Sequence, residues 1–361
     1  MASVRQIAEG AGVSITTVSR ALNNDPSVSP GTRERILSVA NRAGYVPTVG
    51  RRSVTNLGFA YTQEITLAHP FDTAVLEGVF RGLAECRFDL VVLDMTRDKA
   101  RNETYTQFFM RKGVRGVILR TMAESRYVCR TIAAEGFPHV VISERFDSPD
   151  INSIDCDSQP DSVRAVGYLI SLGHRRIAFG MHNVPDRDHL DRFEGYKRAL
   201  ADNGLPYDEN LVFKHPFTLA GGATIINMIM SLADRPTAVY FADPLLSVGA
   251  VKRAHELGLI IPDDLSIVGF DDTDMRYGVH PTLTAVCQDA GVLGFEAAHW
   301  LTRKLTQTNG QHLQKTVPSF FEVNHSTGPP HYPESNGNPN GGVASAVDHE
   351  QKLRRGNQVQ S

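Results

Sequence analysis

Two periodicities divide the chain. Up to Gly44, apolar residues recur at the three- and four-residue spacing of helices, whereas from Val54 onward they gather into short β-type blocks. Residues 3–23 read SVRQIAEGAGVSITTVSRALN. Ser3 and Gln6 form a capping box, each side chain satisfying a free N–H of the other, so a helix starts at Val4. Ile7, Ala8 and Ala11 share one face of it. Gly12 ends it, because glycine takes the left-handed conformation of a tight turn without a steric clash. A second helix begins near Ser14, and two short helices about a glycine turn suggest helix-turn-helix geometry. A third follows, with Ser29 as N-cap, Pro30 at the first position, Gly44 at the end, and Ile36, Val39 and Ala40 on its buried face.

Beyond Val54 the candidate strands are 57–61, 88–94, 116–120, 139–143, 176–180, 238–242 and 265–270, with helices such as 73–86 and 159–172 between them. This alternation predicts a parallel, doubly wound α/β architecture behind an all-α head.

The second helix divides by face. At about 100° per residue, Ile15, Thr16, Ser19, Arg20 and Asn23 fall within about 140° of one another. Val18, Ala21 and Leu22 lie opposite and can pack on Ile7 and Ala8. The first set is then free to enter a major groove, where arginine donates twice to guanine and isoleucine or threonine methyls touch thymine. Ser14, Thr17, Ser19, Asn23 and Thr32 suit phosphate oxygens, which position a protein without specifying sequence.

Charge agrees with that assignment. Residues 1–52 carry seven arginines against three carboxylates, a net +4, which leaves −7 for the rest of a chain whose net charge is −3. A basic head on an acidic body implies a polyanionic partner for the head alone. The length of 361 residues fits two or three domains, and 41% hydrophobic with 21% charged residues fits a globular protein. No apolar run approaches the ~18 residues of a membrane span. MASVRQIAEGAGV lacks the apolar core of a signal peptide, so the expected location is the cytoplasm. Cys86, Cys129, Cys156 and Cys287 form no CxxC pattern and read as reduced, mostly buried thiols.

The stretch IAEGAGVSITTVSRALNNDPSVSPGTRERILSVANRAGYVP closely resembles the DNA-binding head of the LacI/GalR family of bacterial regulators. The family pattern V-A-x-x-A-G-V-S-x-x-T-V-S-R-x-L-N, then V-S-x-x-T-R, then G-Y-x-P is followed in order, with Gln6 where an acidic residue is commoner. The resemblance implies that Ile15, Thr16 and Arg20 face bases of a two-fold symmetric double-stranded DNA operator. It continues to about Pro330 through SIDCDSQPDSVRAVGYLISLGHRRIAF, DRFEGYKRAL and IPDDLSIVGFDDTD. The implied body is that of periplasmic sugar-binding proteins, two α/β subdomains crossed three times by the chain around a ligand cleft.

Ligands in open α/β sheets bind beyond the carboxyl ends of strands. That rule selects Asp271 and Asp272, Asp243, and Arg192 ahead of helix 193–201. The family implies the same Arg192 and Asp271 as effector contacts, adds Phe217 as a stacking aromatic, and matches His69, Phe71 and Asp72 to the near-side loop. Asp243-Pro244 stands where the family has Asn-Asp, and His69 where Asn is common, so the small-molecule effector is expected to be sugar-like but not a common sugar. His174 in LGHRR reads as a helix cap rather than a catalytic group.

Three functions compete. A ligand-responsive regulator, most simply a repressor, accounts for head and body together. A solute-binding protein accounts for the body alone. A Mg²⁺-dependent phosphotransfer enzyme could use FDDTD, but no glycine-rich phosphate loop accompanies it. No cofactor, bound metal or catalytic set is expected.

The resulting domains are a head at 1–47, a shortened hinge at 48–55, an effector-binding and dimerisation domain at 56–330, and a tail at 331–361 expected to be disordered. The tail has one leucine, Leu353, and so lacks the heptads of a tetramerising helix, which leaves a homodimer as the expectation. In the family the hinge is a short helix whose leucine wedges into the minor groove. Here Gly50 disfavours a helix and Val54 is a shorter wedge. Arg51 and Arg52 are expected to touch phosphates or a narrow minor groove without intercalation.

Overall fold

The computed structural model describes residues 3–22, 25–43, 45, 55–63, 65–84, 86–184, 186–307 and 312–331. Asn23, Gly44, the hinge with Arg51 and Arg52 up to Val54, and the tail beyond His331 lie outside the described residues.

In the head, α1 (Val4–Ala11), α2 (Ile15–Leu22) and α3 (Pro30–Arg42) follow the capping signals closely. Ser3 N–H donates to Gln6 Oε1 at 2.8 Å while the Ser3 hydroxyl accepts from Gln6 N–H, a closed box in which the Ser3 cap contributes about 0.5–2 kcal/mol. Gly12 adopts φ +63°, the left-handed turn between α1 and α2. Ile7, Ala8, Ala11, Val18, Ala21, Val28, Ile36 and Ala40 form the head's core. The head also touches the body. Asn41, only 8% exposed, donates from Nδ2 to Thr106 Oγ1 at 3.0 Å and to the Glu135 carbonyl.

The body runs β1 (Asn56–Tyr61), α4 (Pro70–Leu83), β2 (Asp89–Asp94), α5 (Met95–Asp98), α6 (Tyr105–Arg111), β3 (Val114–Arg120), α7 (Arg126–Ala134), β4 (His139–Ile142) and β5 (Ser153–Asp157). It continues as α8 (Gln159–Ser171), β6 (Ile177–His182), α9 (Arg187–Asp202), β7 (Val212–His215), α10 (Leu219–Ser231), β8 (Ala238–Phe241), α11 (Pro244–Glu256), β9 (Ser266–Asp271) and β10 (Thr284–Cys287). The last elements are α12 (Ala290–Thr306), β11 (Gln314–Pro318) and β12 (Phe320–Glu322).

These strands form two six-stranded sheets, ordered β11-β5-β4-β3-β1-β2 and β12-β10-β9-β8-β6-β7. The chain passes between them after β5, after β10 and after β11, giving the three crossings. Pairing is parallel except for β12, which runs antiparallel to β10 as an edge strand. Apolar clusters line both faces of each sheet, as parallel sheets require. In the first subdomain α4 and α12 pack backbone to backbone: a Cβ on Gly78 would lie 1.9 Å from the Gly291 carbonyl oxygen. Among the described residues the cysteines are free thiols, with Cys129, Cys156 and Cys287 buried.

His174 is fully buried and does cap the end of α8, but through its backbone N–H, which donates to the Leu169 carbonyl at 3.2 Å. Its ring bonds elsewhere, to Thr237 Oγ1 at 2.7 Å and, through Nε2, to the Gly328 carbonyl at 2.9 Å. The ring thereby pins the C-terminal segment to the second subdomain.

Candidate functional site

The reading face of α2 is exposed. Val18 and Ala21 are fully buried in the head core, whereas Ile15 is 53% exposed and Thr16, Ser19 and Arg20 stand in solvent. Among the described residues Arg20 is approached by Asp25, with Nε 4.0 Å from Oδ2, and its side chain is 58% exposed, so its guanidinium is available to a base edge. Ser14 caps α2 by accepting from Thr17 N–H at 3.1 Å, and Ser29 does the same for α3 through Thr32 N–H. Ser14, half-buried Thr17 and half-buried Thr32 therefore sit at helix N-termini, the positive ends of their helices.

The second site lies between the sheets. A cavity of about 370 Å³ is lined by Tyr61 at the end of β1 and Gln63 beyond it, Arg120, Thr121 and Met122 at the end of β3, His182 and Asn183 at the end of β6, and Pro216 and Phe217 beyond β7. Thr66, His69, Val184, His189 and Thr218 complete it. These are carboxyl ends of strands from both subdomains.

Among the described residues Arg145 joins Asp191 between the subdomains at 3.7 Å, and two further polar contacts cross the cleft at the cavity. His69 Nε2 bonds Asp243 Oδ2 at 2.9 Å, and Arg120 Nη2 reaches Asp186 Oδ2 at 3.2 Å. Arg120 Nε also donates to Asp72 Oδ1 at 3.0 Å, with its guanidinium 4.7 Å above the Phe71 ring. Asp72 Oδ2 accepts from Tyr61 and Thr66. Asp186 in turn accepts from His189 Nδ1 at 2.6 Å. Burial opposes ionisation of Asp186, but His189 and Arg120 hold its carboxyl well below the usual range. Burial and the adjacent Asp186 push Asp188 the other way, well above it.

The expected effector residues separate into three groups. His69 and Phe217 line the cavity, their rings 4.8 Å apart. Asp72, Phe71 and Asp243 stand one layer back, holding Arg120 and His69 in place. Arg192 and Asp271 are not among the lining residues. Arg192 stacks 3.3 Å from the Phe270 ring centroid and donates to the Ala242 carbonyl at 2.8 Å, tying α9 to the end of β8. Asp271 folds its own loop, accepting from Thr273 N–H at 3.1 Å and from Arg276 Nη1 at 2.9 Å. Asp272 accepts from Gln288, and Asp274 lies 3.3 Å from Arg276, so the FDDTD acids have partners within the loop. Among the described residues no cluster of three His, Cys, Asp or Glu has the arrangement of a metal site.

Residues 3–48 match the family model for bacterial regulatory proteins of the lacI family, and residues 166–327 match a periplasmic binding protein-like domain. The NTD biosynthesis operon regulator NtdR of Bacillus subtilis (strain 168) is 30% identical over 291 residues, 79% of this chain and 87% of that protein. This chain belongs to the lacI family of bacterial regulatory proteins. The regulator is also 29% identical over 314 residues to the ribose operon repressor of Haemophilus influenzae, covering 86% of this chain and 93% of that one. The structure of a transcriptional regulator CelR–cellobiose complex matches it with a TM-score of 0.65 and 26% identity, covering 90% of this chain and 100% of that one. It is therefore a DNA-binding transcription regulator with a head and a two-subdomain effector body.

Sequence reasoning missed Arg120, Asp186, His182 and His189 in this regulator's cleft. The carboxyl-end rule would have reached two of them. Arg120 closes β3, and His182 closes β6 two residues beyond the expected strand end. Asp186 and His189 carry a local signal too, an N-cap and the residue three positions on, in the first turn of α9.

Proposed function

We propose that the protein is a ligand-controlled repressor that binds a two-fold symmetric operator as a homodimer and takes a saccharide-like effector in its cleft. The observation that carries this reading is the pairing of an exposed reading helix with a cavity whose two walls belong to different subdomains. A ligand bridging those walls alters their mutual arrangement, and such coupling is typically ~1–3 kcal/mol. The ribose operon repressor and the CelR–cellobiose complex support a saccharide as the effector class. Exposed Phe80 on α4 and Met228 on α10 supply apolar surface for a second copy of the chain.

Ile15, Thr16 and Arg20 read bases in this scheme, and Ser14, Thr17, Ser19, Asn23 and Thr32 touch phosphates, with Arg51 and Arg52 adding hinge contacts. The deciding experiment is to sequence genomic DNA fragments retained by the purified protein, with and without ribose or cellobiose. Recovery of a palindromic motif whose retention changes with saccharide supports the proposal. Retention without any common motif defeats it.

A further inference from the structure

The edge of the first subdomain where the chain arrives from the head carries cations that the fold leaves unused. Thr55 leads into β1, and its carbonyl accepts from Asp89 N–H at 2.8 Å. In the register of the sheet, Asn56 of β1 pairs with Asp89 of β2 on one side and with Val114 of β3 on the other. The entries to β2 and β3 therefore flank that arrival point. The end of α12 closes the group. Arg115 Nη2 donates to the Leu305 carbonyl at 3.2 Å, and its guanidinium lies 5.7 Å from the Phe88 ring centroid. Segments 86–89, 111–115 and 303–306 thus meet at one edge.

Their charge is one-sided. Against one carboxylate, Asp89, they hold Arg87, Arg111, Lys112, Arg115, Arg303 and Lys304, on a body whose net charge is −7. Arg111 and Lys112 are committed, to Glu103 at 2.8 Å and to Asp98 at 2.7 Å. Arg87 and Arg303 are exposed and, among the described residues, have no carboxylate partner. Arg115 is half-buried, and its hydrogen bond goes to a neutral carbonyl. Burial draws its pKa below the usual guanidinium range, with no anion to offset it.

We propose that this edge is a second DNA surface, where Arg87, Arg115 and Arg303 contact backbone phosphates beside the bases that α2 reads. This rests on DNA binding by the head. The head is seated at the same edge, since Asn41 bonds Thr106 and the Glu135 carbonyl just ahead of the entry to β4. The tether from Tyr45 to Thr55 reaches at most about 36 Å fully extended, so the edge stays near any duplex that the head holds. Phosphates supply the anion that the three arginines lack. Such contacts position a protein without specifying sequence, so their loss weakens binding to all duplexes alike.

Salt dependence and targeted scission test the proposal. Fluorescence anisotropy follows the full-length protein on a mixed-sequence duplex of about 40 base pairs between about 50 and 200 mM salt. Each phosphate contact adds about 0.9 to the slope of log affinity against log salt. Arg87→Ala with Arg303→Ala is expected to lower that slope by about 1.8, or by about 3.6 where both copies of a dimer engage. Arg115→Gln, which can still donate to Leu305, is expected to lower it further. Lys214→Ala with Arg235→Ala removes the same charge from exposed positions of the second subdomain and is expected to leave the slope as in wild type. A slope unchanged without Arg87 and Arg303, or lowered equally in the control, overturns the proposal. Wild type that binds no duplex at low salt overturns the DNA-binding assignment beneath it. For the location, an iron chelate is attached at Arg303→Cys after Cys86→Ser removes the half-buried native thiol. It is expected to cut the bound duplex, whereas the same chelate at Lys214→Cys is not. Absence of cuts from position 303 on DNA that wild type binds overturns the second surface while leaving the head's role standing.

Discussion

His69 of the first subdomain and Asp243 of the second meet across the cleft at 2.9 Å, each capping the helix it precedes. His69 Nδ1 receives Phe71 N–H at the start of α4, and Asp243 Oδ1 receives Leu246 N–H at the start of α11. The contact therefore joins two helix N-termini, and closure of the cleft is written into both caps. Burial works against a charged His69, but the hydrogen bond and charge of Asp243 prevail and raise its pKa. Burial likewise opposes ionised Asp243, and His69 reverses it. Protonation gives up the Phe71 N–H bond at Nδ1 but strengthens the Asp243 contact, so the raised pKa gives a contribution that is complete below about pH 6.5 and is lost as pH rises through the raised value. The thermal stability advantage of wild type over His69→Asn, which retains a capping side chain, is thus expected to be larger at pH 6 than at pH 8.5. A constant difference between those pH values contradicts this account.

Arg120 is the second crossing, and its removal tests the cost of stranding charge. Arg120→Ala leaves Asp72 and Asp186 buried without their shared cation, for which about 3–5 kcal/mol of destabilisation is expected. Asp72→Asn in the same chain removes one of the stranded charges and is expected to recover a substantial part of that loss. Chemical denaturation of the two variants checks it. Additive losses in the double variant would show that Asp72 and Arg120 do not act as a pair.

On the DNA side, Arg20→Ala is expected to abolish discrimination of the operator, with about 1–3 kcal/mol lost per guanine it reads. Its side chain is 58% exposed, so the melting temperature should hardly move. Val18→Ala, on the buried face, is the reciprocal control: it empties core volume and lowers the head's stability without touching a base. Fluorescence anisotropy on matched and scrambled duplexes, repeated across salt concentrations, separates the two effects. An unchanged ratio of matched to scrambled affinity in Arg20→Ala would remove Arg20 from the reading role.

The head was legible almost to the residue because its signals are local. Ser3, Gln6, Gly12, Ser29 and Pro30 each dictate a backbone event within a turn of themselves. Seven of the parallel strands were legible from their apolar runs. Strands β5, β7, β10, β11 and β12 were not, because SIDCD, VFKH, TAVC, QKTVP and FFE are short, polar or at an edge, and only their neighbours make them strands. The cleft followed the same division. The carboxyl-end rule located the loops, but which acid faces the cavity depends on a partner far away in sequence. Asp271 turns to Arg276, and Arg192 turns to Phe270 and Ala242, which no spacing rule encodes.

The contact of Asn41 with the body offers a last test, because it links the DNA-reading unit directly to the first subdomain. Asn41 sits in the last turn of α3, and its two acceptors belong to the start of α6 and the end of α7. Glu135 reinforces the seat, its carboxylate accepting the N–H groups of Tyr105 and Thr106. A head held this way moves with the first subdomain instead of swinging on its tether. A Cβ placed on Gly136 would lie 3.7 Å from Asn41 Cβ, within the separation of a disulfide. Asn41→Cys with Gly136→Cys is therefore expected to cross-link on mild oxidation, visible as a mobility shift reversed by reductant. Gly136 has φ +72°, so the cysteine costs roughly 1–2 kcal/mol there, which lowers stability without separating the two β-carbons. Since the reading face of α2 stays exposed in this seat, the cross-linked protein is expected to keep its affinity for a single operator half-site. If it cross-links but loses half-site binding, the seated head is a DNA-free arrangement, and the contact works against operator binding.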